Sequence, residues 1–490
     1  MTDLELIEQY ENKLKAYSLA LNTIFFDHET AAPKDGTEYR FKCIDILEEE
    51  FYKIRNDESI CEALLRLKDS EDKILNRKVK LMLKDFEDLK KIPSDLYLKY
   101  SSLRNKAQLV WEKAKNKNDY ALFEPYLIEL INMTKEVCHY RNPDINAYEL
   151  MLNDFEEGMN IKKYDEFFDL VKTELVPLIK KIKEKQLIDD KCIKGNFKTA
   201  DQKKVQELIK KYLNFDPSWG LMAEYMHPFT SGFSTGDVRV TTFYRENDFT
   251  DAIFSSIHEI GHATYEHNLP KDYEGTVLNN VSSGLHESQS RLFENYLGRN
   301  PHFWDSLFPE IKKILNLDCD QDAFVKAINK SVPSLIRTAA DELTYPIHIL
   351  IRYEMEKAIF KDGIDLKNLN KIWNEYYKKY LGVYVDTDTN GILQDVHWSN
   401  ASFGYFPTYA LGSAYAAQFV YYMRKELDVD KLLSEGKMEE IADYLKEHIH
   451  KYGNTVTPSE VIIRATGESF NPKYYIDYLK EKYTKLYEKA

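Results

Sequence analysis

The chain is poor in the residues that turn a backbone sharply: its 490 residues include only 18 glycines and 15 prolines, against usual shares of about 7% and about 5%. Hairpin-rich β architectures need that punctuation, so its scarcity excludes them and favours long helices. Cysteine is scarce too. Cys43, Cys61, Cys138, Cys192 and Cys319 are odd in number, far apart and never in Cys-x-x-Cys spacing, which excludes a disulfide framework and a thiolate zinc site. No window approaches the roughly 20 apolar residues of a membrane span. The acidic, amphipathic start Met1-Thr-Asp-Leu-Glu-Leu-Ile-Glu lacks the positive charge and apolar run of a secretory signal. A cytoplasmic protein without membrane attachment is expected. Positive charge is also in deficit, with 67 Lys and Arg against 81 Asp and Glu for a net −14. With no basic stripe to offset it, nucleic acid is excluded as a partner.

What is present describes a globular protein with a large core: 43% hydrophobic residues, 35 Tyr and 25 Phe, with 30% charged residues to cover the surface. Ile7, Leu14 and Leu21 recur every seven residues beside Tyr10, Tyr17 and Ile24, which predicts a helix with one apolar seam used for core packing. Helical texture continues through Leu64 to Leu89 and Tyr164 to Leu187. Asp237-Val-Arg-Val-Thr-Thr-Phe-Tyr, after the glycine-punctuated segment Ser231 to Gly236, alternates as a strand and predicts a small edge sheet. From Leu381 to Phe406 glycines and aromatics cluster in a long structured loop, a place to look for chemistry. Without repeats, linkers or low-complexity tracts, residues 1–490 read as a single continuous domain. Residues 1–200 are expected to form a helical part that covers the later part, 201–490.

The chemistry centres on His258-Glu-Ile-Gly-His262, set in a helix that also carries Ile253, Ile257 and Ile260. Four residues are a little over one turn, so both imidazoles leave the same face and reach one cation, while Glu259 is rotated toward its bound water as general base. A catalytic metal needs a third protein ligand. Glu287, 25 residues beyond His262 on a second amphipathic helix, is the favoured candidate over His286, Glu294 and His267. Zinc is the default for such a set, although two His and a Glu also hold cobalt or manganese.

The sequence resembles the carboxypeptidase Taq family of metallocarboxypeptidases. The resemblance rests on His227-Pro-Phe, Asp237-Val-Arg239-Val-Thr241, His258-Glu-Ile-Gly-His262, His286-Glu-Ser-Gln-Ser, Ile336-Arg-Thr-Ala-Ala-Asp341, Ile351-Arg-Tyr, Gly391-Ile-Leu-Gln-Asp-Val-His-Trp398 and Phe403-Gly-Tyr-Phe-Pro-Thr-Tyr-Ala-Leu-Gly412. Phe26-Asp-His-Glu-Thr looks like a further block in which the family has Trp at the first position. The resemblance implies an almost wholly α-helical fold with a small sheet near the active site, neurolysin-like, with one deep groove, assembled as a homodimer. It implies removal of C-terminal residues from peptides with a free C-terminus. It also implies His258, His262 and Glu287 as metal ligands, Glu259 as base, and Asp341 as the hydrogen-bond partner of a ligand imidazole. His397 and Tyr409 fit the family's donors to the tetrahedral intermediate. Arg352 and Arg239 are the candidates for gripping a terminal carboxylate. Arg337 ranks third, because an ion pair with Asp341 one turn later is the simpler expectation for it. The rival readings are a metalloendopeptidase of the same class and, more remotely, a non-enzymatic helical metal-binding protein, in which Glu259 would have no task.

Overall fold

The computed structural model describes residues 1–488 and is built mainly of helices. The first, Asp3–Thr30, begins with a capping box: Thr2 Oγ1 accepts from Glu5 N while the Glu5 carboxylate accepts from Thr2 N. Its seam packs as the seven-residue spacing predicts, with Ile7 and Tyr10 buried against Ile60, Leu64, Val79 and Phe86. The helical run expected from Leu64 to Leu89 is broken into Glu58–Leu67 and Lys73–Lys91. Asp72 starts the second piece by accepting from Ile74 N and Leu75 N. The run from Tyr164 comprises Ile161–Leu170, a π-helical turn Val171–Leu175 and Val176–Lys183.

The hydrophobic interior has two clusters: buried residues from Ile7 to Phe86, with Val277 packed against them, form the smaller, and buried residues from Leu103 to Tyr487 the larger. Phe123, Tyr164, Phe167 and Phe168 belong to the same core as Ile257 and Ile260.

The sheet has three strands. β1 (Gly220–Glu224) runs parallel to β3 (Asp237–Thr242), and β2 (Thr230–Ser234) runs antiparallel to it on the other side. The alternation of Val238 and Val240, both fully buried, with Arg239 made β3 legible. β1 and β2 read Gly-Leu-Met-Ala-Glu and Thr-Ser-Gly-Phe-Ser; they lack that β-branched alternation and flank β3, the central strand of the small sheet. The sheet meets the helix Phe249–Asn268 where Ser256 Oγ donates to Thr242 Oγ1 at 2.9 Å. The segment from Leu381 to Tyr405 has no α-helix and only the 3-10 turn His397–Asn400. It is backed by the helix Ser94–Lys117, whose Trp111 Nε1 and Lys115 Nζ donate to Leu393 O and Gln394 O.

Candidate metal centre

Asp248 caps the helix Phe249–Asn268 by accepting from Thr250 N, and burial of Ile253, Ile257 and Ile260 fixes the roll of that helix. His258 and His262 then share one face, their rings 4.9 Å apart. Opposite them runs the helix Ser283–Arg291, capped by Ser282. Two glycines set how close it comes. A Cβ on Gly261 would lie 2.8 Å from Gln289 O, and one on Gly412, from the helix Phe406–Glu426, would lie 2.6 Å from Glu287 Cγ. Glycine inside a helix costs about 1 kcal/mol relative to alanine; here it admits the Glu287 backbone and side chain into a space no other residue leaves.

The result is a converging trio. Glu287 Oε2 lies 3.7 Å from His258 Nε2 and 3.5 Å from His262 Nε2, and the three donor atoms are all within 4.8 Å of one another. Ligand atoms about 2.1 Å from a tetrahedral cation sit about 3.4 Å apart, so the trio fits one divalent metal and leaves a coordination position open. The electrostatics agree. Burial works against the charge of Glu287, but Arg291 and the two imidazoles hold its carboxyl well below the usual range. Burial pushes His262 down to about 3, keeping it in the neutral form a ligand needs. His258 is raised despite its burial, because Glu287 and Glu294 draw positive charge to this spot.

Glu294 has the part that the family resemblance assigned to Asp341. His258 Nδ1 lies 3.0 Å from Glu294 Oε2, a carboxylate to which it donates; in the neutral ring that a metal ligand needs, this places the lone pair on Nε2, toward Glu287. Asp341 touches no ligand imidazole. Its carboxylate accepts from Leu343 N and Thr344 N of its own turn, both at 3.0 Å, and from Ser331 Oγ at 2.7 Å and Val332 N at 3.0 Å on the preceding segment, which use up its lone pairs. Glu294 lies seven residues beyond Glu287 (294 − 287), in a π-helical turn Leu292–Leu297 that begins after the Glu287 helix. That two-turn spacing is a signal the sequence itself carries. Glu294→Gln is expected to weaken metal affinity about 10- to 100-fold while leaving the fold intact, measured by chelator competition; unchanged affinity would contradict this part for Glu294.

The other candidates fall into place around the trio. His286 stacks on His262 with ring centroids 4.4 Å apart, and its Nε2 meets Glu266 Oε1 at 2.8 Å. His267 stacks on Trp219 and bonds Thr235 O, away from the ligands. Glu259 is buried, and Thr230 Oγ1 on β2 donates to its Oε2 at 2.6 Å; burial raises its pKa, with Glu287 adding to the rise. Sequence reading gave no hint of Thr230, because its strand carries no recognisable pattern. His397 Nε2 and Tyr409 Oη lie 3.2 Å apart. Tyr409 stands one turn before Gly412, which packs on Glu287. Burial, with Arg337 nearby, pushes His397 down to about 4, so it is neutral at pH 7.

The arginines differ most from expectation. Arg352 is fully buried, its Nε and Nη2 donating to Asp395 Oδ2 at 2.8 and 2.5 Å and its Nη1 to His348 O at 2.8 Å. No face of it is left for a substrate carboxylate. Arg337 pairs not with Asp341 but with Asp395 Oδ1, at 2.9 Å from Nη2, because the loop carrying Asp395 closes over both guanidinium groups. Arg239, a quarter exposed, is paired with Asp237 and lies over Phe233 at 4.2 Å. It lines a cavity of about 830 Å³ between the first helix and β1.

Comparisons with known proteins identify the relatives of this chain. A family model described as carboxypeptidase Taq (M32) metallopeptidase matches residues 6–483. Carboxypeptidase 1 of Bacillus subtilis is 41% identical over 484 residues, covering 97% of both chains. Thermostable carboxypeptidase 1 of Thermus thermophilus is 33% identical, covering 98% of this chain and 99% of its own. Among solved structures, metallocarboxypeptidase 1 of Trypanosoma cruzi superposes with a TM-score of 0.93 at 32% identity, over 98% of this chain and 99% of that one. A match of this length and identity means that the chain belongs to the carboxypeptidase Taq (M32) family and is a metallocarboxypeptidase.

Proposed function

We propose that this metallocarboxypeptidase removes residues from the free C-terminus of peptides, with one divalent cation held by His258, His262 and Glu287 and with Glu259 as the general base. The observation that carries the reading is the convergence of the two Nε2 atoms and Glu287 Oε2 beside a buried, base-competent Glu259. When bound, the metal, by default zinc, with cobalt or manganese as alternatives, supplies Lewis acidity and an acidified water. The protein residues do the rest. Thr230 occupies Glu259 Oε2, so Oε1 takes the proton from the attacking water and later passes it to the leaving amine. Tyr409 Oη and the neutral His397 supply hydrogen bonds to the oxygen on which negative charge develops. Because Arg352 is spent on Asp395, Arg239 is the remaining candidate of the original pair for the substrate carboxylate. The homodimer and the cytoplasmic setting expected from the sequence belong to the same proposal. No helix among the described residues is long and apolar enough to cross a membrane.

End specificity is the test. A peptide with a free C-terminus is expected to lose residues one at a time from that end by mass spectrometry, with loss abolished by chelator, while the C-terminally amidated peptide is spared. Equal cleavage of both, or internal cuts, would identify an endopeptidase instead.

A further inference from the structure

Two glutamates outside the ligand set, Glu156 and Glu356, are completely buried. Each accepts three hydrogen bonds, all from neutral donors. Glu156 accepts from Ser282 Oγ at 3.1 Å, Gly284 N at 2.8 Å and Tyr415 Oη at 3.2 Å. Glu356 accepts from Trp398 Nε1 at 2.8 Å, Gly404 N at 3.0 Å and Tyr148 Oη at 3.0 Å. A buried carboxylate held without a cationic partner is costly. Three converging partners suit a carboxyl group with its several lone pairs, and an amide would turn its NH2 toward one of them.

What these acids grip is selective. Ser282 and Gly284 open the helix that carries Glu287, with Gly284 one turn before that ligand. A negative group at this helix start also matches the orientation of its dipole. Trp398 is the neighbour of His397, and Gly404 lies two residues before the helix that carries Tyr409. A single short helix, Ala147–Phe155, frames both grips: Tyr148 lies near its start and Glu156 just past its end.

We propose that Glu156 and Glu356 are positioning residues for the two halves of the site. Glu156 sets the Glu287 helix so that its carboxylate reaches the two imidazoles. Glu356 sets the loop that presents His397 to Tyr409. This rests on the tasks proposed above for Glu287 and His397.

The test uses the full-length, zinc-loaded enzyme. Zinc affinity is measured by competition with a chromophoric chelator, kcat and KM at saturating zinc on a free-acid peptide, and Tm by calorimetry. Glu156→Gln and Tyr415→Phe are expected to weaken zinc affinity about 10- to 100-fold. Glu356→Gln and Trp398→Phe are expected to keep wild-type zinc affinity and lower kcat about 10- to 100-fold, with KM little changed, as for a misplacement on the ångström scale. Tyr415→Phe keeps the buried ring and deletes one donor, and Trp398→Phe deletes one donor while keeping an aromatic ring in place of the indole, so each half remains testable if a Gln variant fails to fold. A fall in Tm alone, with zinc affinity and kcat at wild-type values, would make both acids ordinary structural groups and overturn the proposal. So would zinc affinity and kcat falling together in all four variants. His397→Gln in the same assay separates the premises. If it leaves kcat unchanged, the task given to His397 is wrong; if it lowers kcat and Trp398→Phe does not, the positioning by Glu356 alone is wrong.

Discussion

Glu259→Gln is expected to bind one metal per chain with wild-type affinity, melt at the wild-type temperature, and lose roughly a thousandfold or more in kcat, in the upper part of the range for a positioned general base. The reasoning is local. Glu259 is not among the three atoms that converge on the metal position, so its amide replacement removes no ligand. Its Oε2 already accepts from Thr230, and a glutamine oxygen can keep that bond, so the side chain keeps its place. What is lost is the ability to take a proton. Elemental analysis, calorimetry and turnover of one free-acid peptide check the three parts together. Activity near the wild-type level would remove Glu259 from the mechanism, and loss of metal along with activity would make it a ligand.

The largest stability effect is expected at Asp395. Its carboxylate bridges Arg337 and Arg352, both almost wholly buried, and Asp395→Asn leaves two guanidinium charges in the interior with no compensating anion. Breaking such a buried pair costs about 3–5 kcal/mol, to be read from urea denaturation at pH 7. The pH dependence has a definite sign. Burial opposes ionisation of Asp395, but the two arginines hold its carboxyl well below the ordinary range. A group depressed on folding contributes its full stabilisation above its unfolded value and loses it as pH falls through the folded one. The gap between wild type and variant is therefore expected to narrow as pH drops below about 3.8, and a gap that widened there would contradict the ion-pair account.

The part of the site legible in sequence was the part encoded by short, regular spacing. His258 and His262 share a helix face because they are four residues apart, and Glu259 is excluded from that face by the same geometry. The apolar residues Ile253, Ile257 and Ile260 fixed which way that face looks. Val238 and Val240 marked β3 by alternation, whereas β1 and β2, short and nearly patternless, stayed hidden, and with them Thr230. Glu287 was reached by ligand chemistry together with the family blocks. Asp341 and Arg352 have other partners than the family blocks imply, because a polar residue in a block says nothing of what it will touch. Its partner is chosen in three dimensions: for Asp341 by the amides of its own turn and by the Ser331–Val332 segment, for Arg352 by Asp395 on a loop 43 residues away.

By itself, the sequence determined that the chain is helical, that two imidazoles and a carboxylate lie on one helix, and that metallopeptidase chemistry is available to them, since all of these follow from local periodicity and side-chain type. Only the tertiary structure decided that Glu294 meets His258, that Gly412 makes room for Glu287, that Asp395 claims Arg352, and that Glu156 and Glu356 bond the segments at Ser282–Gly284 and Trp398–Gly404. These contacts join residues distant along the chain or turned by irregular helix, and their geometry is set by how helices pack, which no spacing along one element contains.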